Sequence, residues 1–265
     1  MIRRPPRSTL DRSSAASDVY KRQIQGVSEF IPVSSSAHLI LYSYLSKFNY
    51  SSLELDISMH LGSLLAIIVY FRNDLLNLYN KKNVLYLIIF GSIPIILVGF
   101  ILYYLEIIYL IRDLKLIAWT TLIFGIVLYI SDKKLETCNF EKDLNFKNIL
   151  TIGLFQTLSL VPGVSRSGIV ISASRIFNFN RVDAAKISFF LSIPALAGAS
   201  VLGLKDISDK NIEINLVIFI SALFSYFFSY LTIKFLIYYL KKFSLKFFVY
   251  YRIFLAIVLF LIAYN

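Results

Sequence analysis

The hydrophobic positions of this chain fall into long, nearly unbroken blocks rather than into an amphipathic pattern. Such blocks are typical of helices that cross the roughly 30 Å hydrocarbon core of a bilayer. Lipid offers the backbone no hydrogen-bond partner, so each crossing is expected to be helical. The pattern predicts an all-α integral membrane protein, a polytopic helical bundle. The predicted spans cover about residues 57–71, 84–105, 114–130, 185–204, 214–239 and 247–264.

Two segments interrupt this pattern with polar residues at membrane depth. Residues 25–38 contain a glutamate, a proline, three consecutive serines and a histidine, and residues 162–168 read P-G-V-S-R-S-G. Each segment has a helix breaker in its middle, so we predict that 23–45 and 148–178 form re-entrant helix–turn–helix hairpins. Irregular backbone at this depth is tolerated where protein or a water-filled cavity surrounds it, and polar groups there usually mark a site.

The two interrupted segments also resemble each other. Shifting the chain by 131 residues superimposes five identical residues in these segments. We interpret this as an internal, inverted repeat with halves of about 23–130 and 148–265, although chance similarity is the alternative. A site is then expected where the two halves meet. The superimposed pairs are Gln25 and Gln156, Ser28 and Ser159, Val33 and Val164, Ser34 and Ser165, and Ser36 and Ser167.

The residues around the two breakers favour binding of an anion. Ser34 and Ser165 are of the type that caps a helix restart, where unpaired amides and the helix dipole attract negative charge. The guanidinium of Arg166 fits a phosphate group bidentately. Structural alternatives are that the serines only cap or pack helices, and that Arg166 pairs with Glu29. Together these residues predict a phosphate site.

A carboxylate and an imidazole accompany this predicted site. Glu29 lies four residues after Gln25 on the same helical face, and a carboxylate there can hold a divalent cation or act as a base. His38 follows Ser34 by four residues and Ser35 by three. Its imidazole could deprotonate Ser35, attack phosphorus itself or protonate a leaving oxygen, and a hydrogen-bonded structural role is the alternative.

The charged residues add information about the N-terminal segment and the loops. The net charge is +11, and residues 1–22 are polar, rich in arginine and serine, and without the apolar run of a signal peptide. We interpret this segment as non-native or disordered, with a genuine basic tail as the alternative, and 23–265 as a single membrane domain.

Basic loops at 72–82 and 241–246 are expected to face the cytoplasm, so the excess charge requires no nucleic acid. The single cysteine, Cys138, cannot form an internal disulfide.

Four ordered motifs carry a resemblance to a known family. The chain resembles the undecaprenyl-diphosphate phosphatases, the bacterial bacitracin-resistance family, from about residue 24 to its C-terminus. The resemblance implies hydrolysis of undecaprenyl diphosphate to undecaprenyl phosphate and inorganic phosphate, which recycles the lipid carrier for cell-wall synthesis. The motifs are Q-G-V-S-E-F-I-P-V-S-S-S-A-H at 25–38, L-D-I-S-M-H-L-G-S-L-L-A at 55–66, P-G-V-S-R-S-G at 162–168 and I-S-F-F-L-S-I-P-A-L-A-G-A at 187–199.

The resemblance also implies roles for individual residues. It places the protein in the bacterial inner (plasma) membrane with its site facing the extracytoplasmic side, and it implies Mg²⁺ or Ca²⁺ held by Glu29 and Gln25. Many members carry a glutamate where this chain has Gln25. Our preferred nucleophile is Ser35, activated through His38, with direct attack by His38 as the rival. The catalytic set is Glu29, Ser35, His38 and Arg166, and the substrate-binding set is Ser34, Ser36, Ser165, Ser167 and Gly168.

Other classes of function share these features. Inverted repeats with broken helices aimed at an anion are also typical of transporters, so a transporter or flippase of a lipid phosphate is the main alternative. A scaffold whose polar cluster only joins helices is a third class. The sequence leaves open a homo-oligomer.

Overall fold

The computed structural model describes residues 26–46, 53–105, 113–209 and 216–264. Within these ranges the chain is helical apart from turns, loops and one isolated bridge between Cys138 and Phe179, which confirms the predicted all-α class. The helices are α1 (Ser35–Ser46), α2 (Leu53–Tyr70), α3 (Arg72–Asn80), α4 (Lys82–Tyr104), α5 (Leu114–Asp132), α6 (Phe140–Asp143), α7 (Phe146–Thr157), α8 (Arg166–Ile176), α9 (Arg181–Asp209), α10 (Leu216–Leu240) and α11 (Lys246–Tyr264), with a 3₁₀ turn at Leu158–Leu160.

Five of these helices are long and apolar enough to cross a membrane. They are α4, α5 and α11 over their full lengths, Arg181–Gly203 of α9 and Phe219–Leu240 of α10. The segment predicted at 57–71 belongs to a bent pair, in which α2 and α3 meet at an angle of 74°. Counting that pair as one span gives up to six. Large apolar side chains such as Leu97 and Phe254 are exposed on these helices, as expected where lipid is the solvent.

The two halves of the chain pack closely where α2 crosses α10. A Cβ atom on Gly62 would lie 2.3 Å from the carbonyl oxygen of Ala222, so only glycine fits at this crossing. The buried hydroxyl of Ser63 bonds to those of Ser225 at 3.2 Å and Ser229 at 3.0 Å. Small residues and interhelical hydroxyl bonds are the usual means by which membrane helices associate.

The loops at one end of the molecule contact one another, and we call this end the basic end. Lys81 pairs with Glu141 at 2.7 Å, and the amide of Leu245 donates to Asp132 Oδ2 at 3.1 Å. The helices α4, α7, α9 and α11 begin at this end, and α5, α8 and α10 finish there. The basic end therefore contains both basic segments that the sequence predicts to face the cytoplasm, although 72–82, predicted as a loop, is mostly helix α3. The inverted relation of the halves and the re-entrant hairpins remain predictions.

Candidate active site

The two serines predicted to cap helix restarts have the same unusual backbone. Ser34 precedes α1 with φ 82°, and Ser165 precedes α8 with φ 69°. Each hydroxyl accepts a hydrogen bond from the amide three residues later, from Ala37 at 3.4 Å and from Gly168 at 3.2 Å. Positive φ is strained for a residue with a Cβ, and such strain often occurs at functional sites. Both helices therefore start at a capped, tight turn.

The two turns are joined by hydrogen bonds between their serines and backbones. Gly163 donates its amide to Ser36 Oγ at 3.1 Å, and Ser167 donates its hydroxyl to the carbonyl of Ile31 at 2.9 Å. The structure thus brings the Ser34–Ser36 segment next to the turn before Arg166, as the sequence predicts. It also uses the hydroxyls of Ser36 and Ser167 to hold the turns together.

An ion pair between Glu29 and Arg166 lies where the turns meet. Arg166 Nη2 donates to Glu29 Oε1, and the two side chains are only 14% and 9% exposed, respectively. Ser35 donates its hydroxyl to the other carboxylate oxygen, Glu29 Oε2, at 3.4 Å. The pairing that was the structural alternative for Arg166 is therefore present, and it shares its carboxylate with the predicted nucleophile.

His38 has other partners than Ser35. Its Nδ1 lies 2.6 Å from the carbonyl oxygen of Ser34, and its Nε2 lies 2.6 Å from the hydroxyl of Tyr251. Both ring nitrogens of His38 are therefore engaged by groups other than Ser35. In the described residues, Glu29 rather than His38 is therefore the base next to the Ser35 hydroxyl.

Arg252 of α11 is a site residue that the sequence analysis missed. Its side chain is fully buried and donates to the backbone carbonyls of Gly163 at 2.9 Å, Val164 at 3.1 Å and Thr121 at 3.3 Å. Its Nη1 would lie 2.9 Å from a Cβ on Gly168, so the guanidinium abuts the first turn of α8. Its position as the only charged residue in the apolar block 247–264 was a signal that could have identified it.

Gly163 allows the second turn to pack against α5. Its φ is +91°, and a Cβ would lie 2.0 Å from Thr120 Oγ1. That Thr120 hydroxyl donates to the carbonyl of Pro162 at 2.7 Å. The turn before α8 is thus fixed by helices α5 and α11, which places its amides and Arg166 in a set position.

The predicted site residues are together, but their individual roles remain predictions. The amide of Gly168 is used by the Ser165 cap, so its backbone also serves the turn itself. Gln25 lies outside the described residues. Among the described residues there is no group of three or more His, Cys, Asp or Glu side chains that could hold a metal. Residues that the structure brings to the two facing turns are Glu29, Ser34, Ser35, Ser36, His38, Ser165, Arg166, Ser167 and Gly168.

Comparison with known proteins extends these observations. The family model for the bacitracin resistance protein BacA matches residues 23–258. An undecaprenyl-diphosphatase of Pelagibacter ubique is 54% identical over 243 residues, which cover 91% of this chain and 95% of the relative. Proteins of the same name from Elusimicrobium minutum and Idiomarina loihiensis are 38% and 32% identical, each over 91% of this chain and over 95% and 96% of the relatives.

Proposed function

This chain belongs to the bacitracin resistance protein BacA family, and on that basis we propose that it is a membrane phosphatase. Its proposed reaction is the hydrolysis of undecaprenyl diphosphate to undecaprenyl phosphate and inorganic phosphate. The relatives that it matches over nearly their whole length are named undecaprenyl-diphosphatase. The reaction recycles a lipid carrier for cell-wall synthesis.

The contact of Ser35 and Arg166 with one carboxylate carries this proposal. Glu29 receives hydrogen bonds from both residues, so a hydroxyl nucleophile, a base and a phosphate-binding cation lie within one small, mostly buried cluster. Ser34 and Ser165 cap the amides of Ala37 and Gly168. The amides before these two in α1 and α8 have no acceptor within their own helices, and such amides bind phosphate oxygens. A transporter would need the cation and amides, but it would not need a hydroxyl held against a base.

The geometry supports attack by Ser35 on the terminal phosphorus. The Ser35 Oγ–P bond forms, the proton passes to Glu29 Oε2, and the bridging P–O bond breaks with its electron pair on the lipid phosphate. Water then attacks the phosphoserine, and Ser35 Oγ leaves with the proton held by Glu29, which releases dihydrogen phosphate. The distance of 3.4 Å between Ser35 Oγ and Glu29 is long, and catalytic hydrogen bonds often tighten only when substrate binds.

We also propose that a divalent cation, Mg²⁺ or Ca²⁺, binds at this cluster. Mg²⁺ is usually held by one or two carboxylates together with substrate phosphates and waters, so the single carboxylate of Glu29 beside a diphosphate site fits it. Glu29 and Gln25 are the residues that would hold the ion. When bound, it would supply positive charge to the phosphate oxygens.

The proposed location is the bacterial inner membrane, with the site open to the extracytoplasmic side. The basic end supports this orientation, because lysine and arginine in short loops favour the cytoplasmic face. At the opposite end, Lys115 is an exposed cation at the start of α5. Cations at or near the basic end are Arg72, Lys81, Lys82, Lys133, Lys134, Lys142, Lys147, Arg181, Lys186, Lys241, Lys242 and Lys246.

Phosphate release tests the function. Purified protein in detergent is expected to release phosphate from a prenyl diphosphate, and Glu29→Ala or Arg166→Ala is expected to reduce the rate at least about a hundredfold. Lys81→Ala and Glu141→Ala form the matched control, because they break an ion pair that is 49% and 67% exposed. Release that is unchanged by the first two substitutions would overturn the site, and retained binding without any release would favour transport.

Cysteine labelling tests the orientation. In a Cys138→Ser background, Lys142→Cys puts a thiol at the basic end and Lys115→Cys puts one at the opposite end, both at exposed positions. A membrane-impermeant maleimide is expected to label the Lys115→Cys protein in intact cells and the Lys142→Cys protein only after lysis. The reverse pattern would contradict the proposed orientation.

A further inference from the structure

The hydrogen bonds of His38 determine which of its nitrogens carries the proton. The carbonyl oxygen of Ser34 can only accept, so Nδ1, at 2.6 Å, must be the N–H donor. In a neutral imidazole the other nitrogen, Nε2, is then an acceptor. Its partner at 2.6 Å is the hydroxyl of Tyr251, which must donate. The arrangement therefore selects the Nδ1–H tautomer.

The same geometry ties the ring of His38 to one side chain, that of Tyr251. Its other partner, at Nδ1, is the backbone carbonyl of Ser34. Tyr251 is a hydroxyl that can both donate and accept, and the residue is 37% exposed while the imidazole is half-buried. The planes of the two rings lie within 5° of each other with centroids 5.5 Å apart, so the rings are parallel as well as hydrogen-bonded.

We propose that Tyr251 of α11 is a positioning residue of the active site. Its hydroxyl donates to Nε2 and fixes the tautomer and orientation of His38. Held in this way, the imidazole stays away from Ser35, whose hydroxyl remains on Glu29. The expected effect on kcat rests on the proposed phosphatase function. The assignment of the His38 tautomer does not depend on that function.

The change Tyr251→Phe tests this, because it removes the hydroxyl and keeps the ring. Tyr250→Phe is the matched control, since Tyr250 is the preceding residue and is 63% exposed. In phosphate-release assays, we expect Tyr251→Phe to lower kcat roughly tenfold with KM within about twofold, as for the loss of one orienting hydrogen bond. Tyr250→Phe is expected to leave both constants unchanged.

The second measurement is the ¹⁵N spectrum of the histidine rings without substrate. The chain has only two histidines, so His60→Gln assigns the two imidazoles. We expect His38 to show a protonated Nδ1 and a hydrogen-bonded acceptor at Nε2, and we expect Tyr251→Phe to lose this signature while Tyr250→Phe keeps it.

The outcomes separate this inference from the proposed function. A His38 spectrum that is the same in wild type and Tyr251→Phe would overturn the inference. A lower kcat in Tyr251→Phe would not rescue it if the melting temperature also falls and the spectrum does not change, because that result indicates general destabilisation. If the wild-type protein releases no phosphate at all, the proposed function fails, and the spectrum alone then decides whether Tyr251 sets the state of His38.

Discussion

Glu29 and Arg166 form an ion pair although 137 residues separate them in the chain. The pair connects the turn before α1 to the start of α8, and neither side chain is more than 14% exposed. A bidentate phosphate group would be an equally good partner for the guanidinium. In the proposed mechanism, a phosphate of the substrate would compete with Glu29 for Arg166, while Glu29 keeps its contact with Ser35.

A double-mutant cycle tests the coupling of this pair. Glu29→Gln and Arg166→Gln each leave one buried charge without its partner, so each is expected to destabilise the fold by about 3 kcal/mol. The double variant is expected to lose clearly less than the sum, because no buried charge remains. All three are expected to lose activity. Thermal unfolding in detergent and phosphate release measure the two effects, and additive stability losses would contradict the coupling.

Local features of the sequence were sufficient to predict the helices and the polar turns. Apolar blocks predict spanning helices because a backbone in lipid must satisfy its own hydrogen bonds, and a single segment does so as a helix. Ser34 and Ser165 were predictable as caps, because each follows a proline-containing break and serine is a preferred residue at the start of a helix. The bend at Phe71 was not predicted. The polar residues Arg72, Asn73 and Asp74 that follow it indicate a loop, whereas the chain continues there as helix α3.

The long-range partners were not predictable from the sequence. Tyr251 meets His38 across 213 residues, and Arg252 meets Gly163 across 89. Such contacts depend on how α11 packs against α5 and the two turns, which no periodicity encodes. The expected activation of Ser35 by His38 rested on helical spacing and on the family resemblance. Neither reveals that Tyr251 and Ser34 occupy both ring nitrogens.

The metal requirement is expected to respond to Gln25. A second carboxylate beside Glu29 would add an oxygen ligand of the kind that Mg²⁺ prefers. Gln25→Glu is therefore expected to lower the Mg²⁺ concentration that gives half-maximal phosphate release, and removal of divalent ions by a chelator is expected to abolish release in both proteins. Titration of chelated enzyme with Mg²⁺ measures this. Gln156→Glu, at the position that the predicted repeat pairs with Gln25, is the control. An unchanged or higher half-maximal concentration would argue against a cation at Glu29.

A pair of glycine substitutions tests the rigidity of the second turn. Gly163→Ala puts a Cβ at a φ of +91° and 2.0 Å from Thr120 Oγ1, so the turn must move. Strain at positive φ alone costs about 1–2 kcal/mol, and we expect phosphate release to fall by about a hundredfold because the α8 amides are displaced. Gly198→Ala is the control, since its Cβ would have nothing within 4 Å. That change in the interior of α9 is expected to be neutral or slightly stabilising. Equal effects of the two substitutions would refute this role of Gly163.

The last prediction concerns Arg252, which holds the turn from the side of α11. Arg252→Met removes the donors to the carbonyls of Gly163 and Val164, and each unsatisfied carbonyl costs about 1–3 kcal/mol. Arg252→Lys keeps the charge but offers no planar fork, so it is expected to lie between wild type and Arg252→Met in both stability and phosphate release. Arg72→Met, at an exposed position of the basic end, is the control. Thermal unfolding and kcat are to be measured for all three variants. If Arg252→Met keeps wild-type kcat, or if Arg72→Met loses as much, the guanidinium does not position the turn.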